Sequence, residues 1–284
     1  MLLGIDLGAT NVRVGRVLQD KIETMEQAPI DQTDDPDTLI NQIVSLIETS
    51  WHPAIKSIGV GVPSVVDVEK GIVYDVQNIP SWKEVHLKDI LEERFSVPTW
   101  VNNDANCFVL GEQYYGQAKG KKNVIGLIIG TGFGAGIILN GTLVSGTHCG
   151  AGEVGMLPYK ASILEHYCSG QFFERIFGEK GASIYEKAQQ GDQEAIDRFS
   201  EYAHHISEGI KAVLYAYDPE MIVLGGATAQ IWPFIEQKVW KGLESFAYPN
   251  SLKDLRILPS TLDHVAVLGA AALALDSTND KLSN

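Results

Sequence analysis

Cysteine is scarce in this sequence: three residues among 284, Cys107, Cys149 and Cys168, odd in number and widely spaced. That excludes a disulfide framework and suits free thiols in a reducing compartment. Positive charge is also short, with Lys+Arg 22 against Asp+Glu 36 and a formal net charge of -14. Such a surface repels phosphate backbones and anionic lipid, which excludes broad non-specific nucleic-acid binding. Long hydrophobic runs are missing too. The apolar start Met1 to Ile5 meets Asp6 at once, and no stretch approaches the roughly 18 residues of a membrane span. A signal-peptide layout is absent as well. These absences lead to the expectation of a cytoplasmic protein with neither nucleic-acid nor membrane partners.

What is present is ordinary globular material, 45% hydrophobic and 20% charged, enough for one large domain or two ordinary ones. An internal echo favours two. Leu3 to Val17 reads as an apolar strand, a Gly-rich turn and a second strand; Val124 to Leu139 repeats the plan and ends in an Asn140-Gly141 hairpin signal. Gly4 pairs with Gly126 and Gly8 with Gly130 at one offset. The alternative is that any two buried hairpins look alike. Between the echoes, helical periods over 37–50, 104–115, 194–216 and 264–274 alternate with apolar strands at 55–62, 97–102 and 221–224. Alternation of this kind predicts an α/β fold. The duplication predicts two α/β domains with a cleft between them, divided at a linker over 118–123.

The chemistry-bearing residues each admit two readings. Asp6 is a carboxylate inside an apolar strand, where its counterpart in the second unit is Ile128. It is either satisfied by turn N–H groups or compensated by a hydrated Mg²⁺ arriving with ATP. The turns at Gly8-Ala9-Thr10 and Gly130-Thr131-Gly132 lie between strands, where backbone N–H groups can approach phosphate. Neither is a Walker A loop or a well-formed dinucleotide fingerprint. Asn103 and Asp104 stand where a strand ends and a helix opens, as a cap or as a general base with an orienting amide. Glu153, flanked by glycines, and Glu165 are either solvated carboxylates or acceptors for sugar hydroxyls, with Asn78 as another amide. His148, Cys149, His166 and Cys168 invite a zinc reading, but they contain no Cys-x-x-Cys or His-x₃-His pair.

Taken in order, these segments resemble the ROK sugar kinases, a branch of the actin/hexokinase/Hsp70-like ATPase superfamily, over nearly the whole chain. Asp6 to Thr10 is similar to that family's first phosphate loop and Gly130 to Gly136 to its second, while Leu224-Gly225-Gly226 looks like its adenosine turn. Val101 to Asn106 resembles the catalytic segment; 61–67, 78–82, 150–155 and 164–170 resemble the sugar-binding ones. The resemblance implies two duplicated ribonuclease H-like (actin-like ATPase) domains. Residues 1–117 would form the first, joined by the helix 264–284, and 118–263 the second. It further implies ATP and Mg²⁺ as cofactors, the latter near Asp6 through water, and a homodimer. Asp104 becomes the base. Ser64, Asn78, Asn103, Glu153 and Glu165 become sugar contacts; Asp6, Gly8, Thr10, Asn11, Gly130, Thr131, Gly132, Gly225 and Gly226 become nucleotide contacts.

The departures are equally specific. Met156 stands where the family carries a zinc-ligating His, and the segment 157–164 is too short for the family's cysteine cluster. A structural zinc is therefore not expected, and packing of Met156, Leu157 and Ile163 is expected to hold that loop instead. Ser64 and Ser81 replace common glycines, and Asn11 a common lysine. The favoured activity is ATP-dependent phosphorylation of glucose or an N-acetylhexosamine at the 6-hydroxyl. The alternatives are a non-catalytic sugar-binding regulator of the ROK family and a filament-forming or chaperone-like ATPase. With the first strand starting at Leu2, no helix-turn-helix is expected before it, and 284 residues leave little space for an extra substrate domain.

Overall fold

The computed structural model describes residues 1–8, 10–31, 35–76 and 78–283, of which 278–283 by backbone alone. Ala9, in the first glycine turn, lies outside them. The apolar echo at the start gives β1 (Leu2–Leu7), β2 (Asn11–Leu18) and β3 (Lys21–Pro29), an antiparallel meander. Helix α1 (Pro36–Ser50) follows, its first turn set by Pro36 and by the Asp35 carboxylate accepting from Asp37 N. Next come β4 (Ile58–Val62), the small strands β5 (Val65–Asp67), β6 (Ile72–Tyr74) and β7 (Glu84–Val85), α2 (Leu87–Phe95), β8 (Thr99–Asn103) and α3 (Asp104–Tyr115).

The second half begins with β9 (Val124–Ile129), β10 (Phe133–Leu139) and β11 (Thr142–Leu143), then a hairpin of β12 (Pro158–Tyr159) and β13 (Ser162–Ile163). Helices α4 (Glu165–Cys168), α5 (Gln171–Phe177), α6 (Gly181–Gln189) and α7 (Gln193–Tyr217) precede β14 (Met221–Gly225), α8 (Ala227–Leu243), β15 (Arg256–Pro259) and α9 (Val265–Ser283).

The duplication read from the sequence is real. One sheet orders its strands β3-β2-β1-β4-β8 and the other β11-β10-β9-β14-β15, so each member has a counterpart of the same rank. In both, the later strands join in parallel: β4 to β1 and β8 to β4, β14 to β9 and β15 to β14. The Asn140-Gly141 turn closes β10 onto β11 with both residues at positive φ, 54° and 84°, the conformation a two-residue hairpin needs.

Two compact units result. One comprises Met1–Lys121, Gly136–Ala151 and Thr261–Asn284; the other comprises Lys122–Ala135 and Gly152–Ser260. The division thus falls within β10 as well as at the linker. Gly136 gives the reason on the first unit's side: a Cβ there would lie 2.1 Å from Ala105 O, so this strand can meet α3 backbone to backbone only as glycine.

The first unit's core is built from Leu3, Ile5, Val60, Val62 and Val101 of the sheet, Ile43 and Ile47 of α1, and the fully buried Trp82, whose Nε1 donates to Pro36 O at 3.2 Å. Helix α9 covers the sheet's other side and lies along α3. Its approach is set by glycines. An added Cβ would stand 2.0 Å from Val267 O at Gly4, 1.8 Å from Ala270 O at Gly59, 2.4 Å from Val265 O at Gly111 and 1.6 Å from Cys107 O at Gly269. Any side chain at these positions forces the helix outward.

Gly269→Val is therefore expected to cost about 3 kcal/mol or more and to lower Tm by at least about 5 °C in a calorimetric scan. Gly150→Ala, where no atom of the described residues lies within 4 Å of the new Cβ, should leave Tm within about 1 °C.

Candidate active site

In the first unit, strand register brings the candidate residues to one edge. Asp6 of β1 pairs with Gly61 of β4, and Gly61 pairs with Asn102 of β8. These are the carboxyl ends of three adjacent parallel strands, the edge at which open α/β sheets bind ligands. Asp6 and Asn102 are two strand spacings apart, roughly 10 Å. Between them Gly61 carries no side chain, and its Cβ position would lie 3.0 Å from Cys107 Sγ and 3.7 Å from Asp104 Cα. Burial and the nearby Asp104 and Asp6 carboxylates all push the Cys107 thiol well up.

Asp104 opens α3, half-buried. Asn103 is the helix N-cap: its Oδ1 accepts from Ala105 N at 2.8 Å, and its Nδ2 donates to Ser64 O at 3.4 Å. The cap reading of Asn103 is thus correct as geometry, and the cap aims the residue that follows it. Ser64 Oγ donates to Tyr74 O. Asn78 is exposed on the loop between β6 and β7, next to the buried Ile79.

The first glycine turn closes with Gly8 N donating to Asn11 O at 2.9 Å, and Asn11 Nδ2 donates to the exposed Thr10 Oγ1 at 2.9 Å. The sequence reading missed Arg13. It is the register partner of Asp6 on β2, and its Nη1 donates to Asp6 Oδ2 at 3.0 Å while its Nε donates to Gln27 Oε1 at 3.1 Å. Burial raises the Asp6 pKa, and the Arg13 guanidinium opposes that rise. Counting strand parity back from the turn at 8–11 would have paired residues 6 and 13.

In the second unit, the turn Gly130 to Gly132 lies between β9 and β10 and closes with Gly130 N donating to Gly132 O at 3.0 Å. It borders a pocket of about 560 Å³ whose lining includes Thr131, Gln171, Tyr185, Thr228 and Ile231. Gly225 ends β14, and Gly226 caps α8 at φ 73°, where a Cβ would meet Ile129 O at 2.5 Å. Glycine is required there on both counts. The α8 N-terminus thereby opens onto that pocket.

Glu165 begins α4 and is half-buried. Its Oε2 accepts from Phe133 N at 3.1 Å and its Oε1 from Gln171 Nε2 at 3.1 Å. Glycines make the room: a Cβ on Gly132 would lie 3.0 Å from Glu165 Oε2, and one on Gly155 would lie 2.2 Å from Phe133 O. Glu153 sits between Gly152 and Gly155 and reaches solvent. Crowding around its carboxyl and the neighbouring Glu165 charge raise its pKa.

The expected packing of the 156–163 loop is overturned. Met156 is 58% exposed and Leu157 44%, and Ile163 is only half-buried. A polar and aromatic clasp holds the hairpin instead. Tyr159 Oη lies 3.0 Å from Nδ1 of the buried His205 on α7, and the Tyr159 ring packs edge-on against Tyr167 of α4 at 5.2 Å. Leu164, buried, ties the hairpin's ends through its N–H to Leu157 O at 2.9 Å. Burial and Lys160 lower the His205 pKa to about 4, so the ring is neutral near pH 7. The sequence hid this because Tyr159 and His205 are 46 residues apart. Among the described residues no group of three or more His, Cys, Asp or Glu side chains could hold a metal ion.

Known proteins complete the picture. The chain is 24% identical over 305 residues to the glucokinase of Thermotoga maritima, covering 96% of each chain. It is 30% identical over 280 residues to the N-acetyl-D-glucosamine kinase of Aliivibrio salmonicida, covering 87% of this chain and 92% of that one. Its fold matches the crystal structure of a ROK family glucokinase from Streptomyces griseus in complex with glucose and AMPPNP, with TM-score 0.79, 24% identity and coverage of 96% and 98%. The ROK family model spans residues 2–277, and the chain belongs to the ROK family.

Proposed function

We propose that this chain is an ATP-dependent hexose kinase that phosphorylates glucose or an N-acetylhexosamine at the 6-hydroxyl, with Asp104 as general base. The observation that carries the reading is that Asp104, capped into position by Asn103, shares one sheet edge with Asp6 and its glycine turn. The relatives named above supply the substrate class, one acting on glucose and the other on N-acetyl-D-glucosamine.

In this reading the sugar hydroxyl oxygen forms a bond to the γ-phosphorus as the bond from that phosphorus to the ADP oxygen breaks. The hydroxyl proton passes to Asp104, and ADP leaves with the bonding electrons. Base assistance contributes about 10²–10⁴-fold. Positioning and charge neutralisation account for the remainder, because the phosphoryl transition state is loose. The turns at Gly8, Thr10 and Asn11 and at Gly130, Thr131 and Gly132 present N–H and hydroxyl donors to the phosphates. The Gly225-Gly226 turn and the α8 N-terminus receive the adenosine. Ser64, Asn78, Asn103, Glu153 and Glu165 hold sugar hydroxyls.

Asp6 fits a hydrated Mg²⁺. Its carboxylate is buried, among the described residues one of its oxygens accepts from a cation, and that partner, Arg13, is itself one-third exposed. Magnesium, when bound with ATP, would neutralise phosphate charge. Arg13 also supplies the positive charge that Asn11 does not.

Asp104→Asn is expected to lower kcat at least about 10²-fold while the hexose Kd, read by calorimetry, stays within about threefold; near-wild-type turnover would remove Asp104 from the chemistry. A second expectation concerns pH. Sugar hydroxyls donate to the ionised form of Glu153, whose pKa is raised. The kcat/KM for hexose should therefore fall, as the medium is acidified, at a pH above the ordinary glutamate range. Glu153→Gln should be weaker by about tenfold and lack that acid limb.

A further inference from the structure

The second glycine turn and Glu165 are joined twice, once directly and once through the side chain of Gln171. Phe133 N, just past the turn, donates to Glu165 Oε2 at 3.1 Å. On the other side, Gln171 Nε2 donates to Thr131 O at 3.0 Å and to Glu165 Oε1 at 3.1 Å. A primary amide nitrogen carries two hydrogens, so these two bonds exhaust it. One oxygen of the carboxylate is therefore tied to the turn directly and the other through Gln171.

From this geometry we infer that Gln171 is a positioning residue that couples nucleotide binding to hexose binding. The inference rests on the kinase reading, in which the Gly130–Gly132 turn meets phosphate and Glu165 meets the sugar. Gln171 stands at the right place for it, lining the pocket that the turn borders while touching Glu165. An anion drawing on the turn's N–H groups fixes the peptide planes of the turn, and with them the direction of Thr131 O. That carbonyl orients the Gln171 amide, and the amide orients Glu165 Oε1. A nucleotide thus organises the sugar acceptor without touching it. By linkage the sugar must organise the turn by the same factor.

The link is anchored at both ends. Glu165 Oε2 is held by Phe133 N beside Gly132, where a Cβ would stand 3.0 Å from it. Ser169 Oγ accepts from Gln171 N at 3.2 Å, and Gly170 N donates to Gly130 O at 2.8 Å. The backbone at the start of α5 is therefore pinned to the same turn, and the Gln171 side chain has a fixed base from which to reach both partners.

The test measures hexose Kd by calorimetry, with glucose and with N-acetylglucosamine, in the absence and presence of saturating AMPPNP, for wild type, Gln171→Met and Gln171→Glu. Wild type should bind its hexose about five- to tenfold more tightly with the nucleotide present. Gln171→Met, similar in length but without the donor, should show a ratio near one with Tm within about 2 °C. Gln171→Glu, which sets a second carboxylate against Glu165, should also lose the ratio and bind hexose more weakly in both conditions. Variants that bind both ligands and keep the wild-type ratio overturn the coupling role. So does a wild-type ratio of one, and in either case the kinase reading stands. If wild type binds neither hexose nor AMPPNP, the kinase reading falls and the coupling with it.

Discussion

Backbone meeting backbone is the constraint on which the first unit is built. Helix α9 lies so close to β1, β4 and α3 that four glycines, Gly4, Gly59, Gly111 and Gly269, stand where any Cβ would fall within 2.4 Å of a carbonyl oxygen. Packing at that distance leaves few alternatives, because side chains that could slide past one another are missing from the contact. Ala270 and Ala271 continue the same close surface on α9. The consequence for chemistry is direct. Gly111 and Cys107 belong to the helix whose first residue is Asp104, so the depth at which α9 docks sets where that carboxylate stands.

A buried polar knot fixes the other end of α3. Asn102 Oδ1 accepts from Asn103 N at 2.8 Å, from Asn106 Nδ2 at 2.9 Å and from the Cys149 thiol at 3.1 Å. One oxygen thus gathers the strand end, the first turn of the helix and the loop 145–151. Cys149 holds a left-handed conformation at φ 57° to reach it, and burial raises its thiol pKa, keeping it a donor. Asn106 Oδ1 is buried and has no partner among the described residues, an energetic cost accepted within the knot. Buried networks of this kind specify a single arrangement more than they add stability. Here the arrangement is the direction in which α3 leaves β8.

Much of this was legible before any coordinates. The helix at 104–115 was read at its observed limits, because the Asn-Asp cluster caps it and glycine ends it. The duplication was legible because glycine spacing survives where other side chains drift, and both turns lie between strands as read. Other features were not. Helix α9 runs to Ser283, past the 264–274 that the residue pattern marks, and the resemblance alone carried the expectation to 284; the Ala-rich face gave the existence of the helix, while the polar residues after Asp276 gave no apolar period to follow. Membership of 136–151 in the first unit depends on Gly136 meeting Ala105, a contact across 31 positions that no local pattern encodes. Met156 and Leu157 misled for a physical reason. Apolar identity was read as burial, although exposed apolar residues are common on loops, and the anchor of the hairpin is a tyrosine on a distant histidine.

The two glutamates assigned to the sugar are not equivalent, and their difference bears on how a carbohydrate would be held. Glu165 has a hydrogen bond on each oxygen and is fixed in place. Glu153 lacks such anchors among its described contacts, and its pKa is raised in part by the charge of Glu165. A carboxylate close enough to raise its neighbour's pKa opposes that neighbour's charge. Polyol hydroxyls are neutral donors and can serve both without adding charge. On the proposed reading, then, a bound sugar would place neutral donors on both carboxylates at once. A ligand with a single hydroxyl could donate to only one of the two. Selectivity for a sugar over a simple alcohol would follow from that arithmetic of donors before any fine shape is considered.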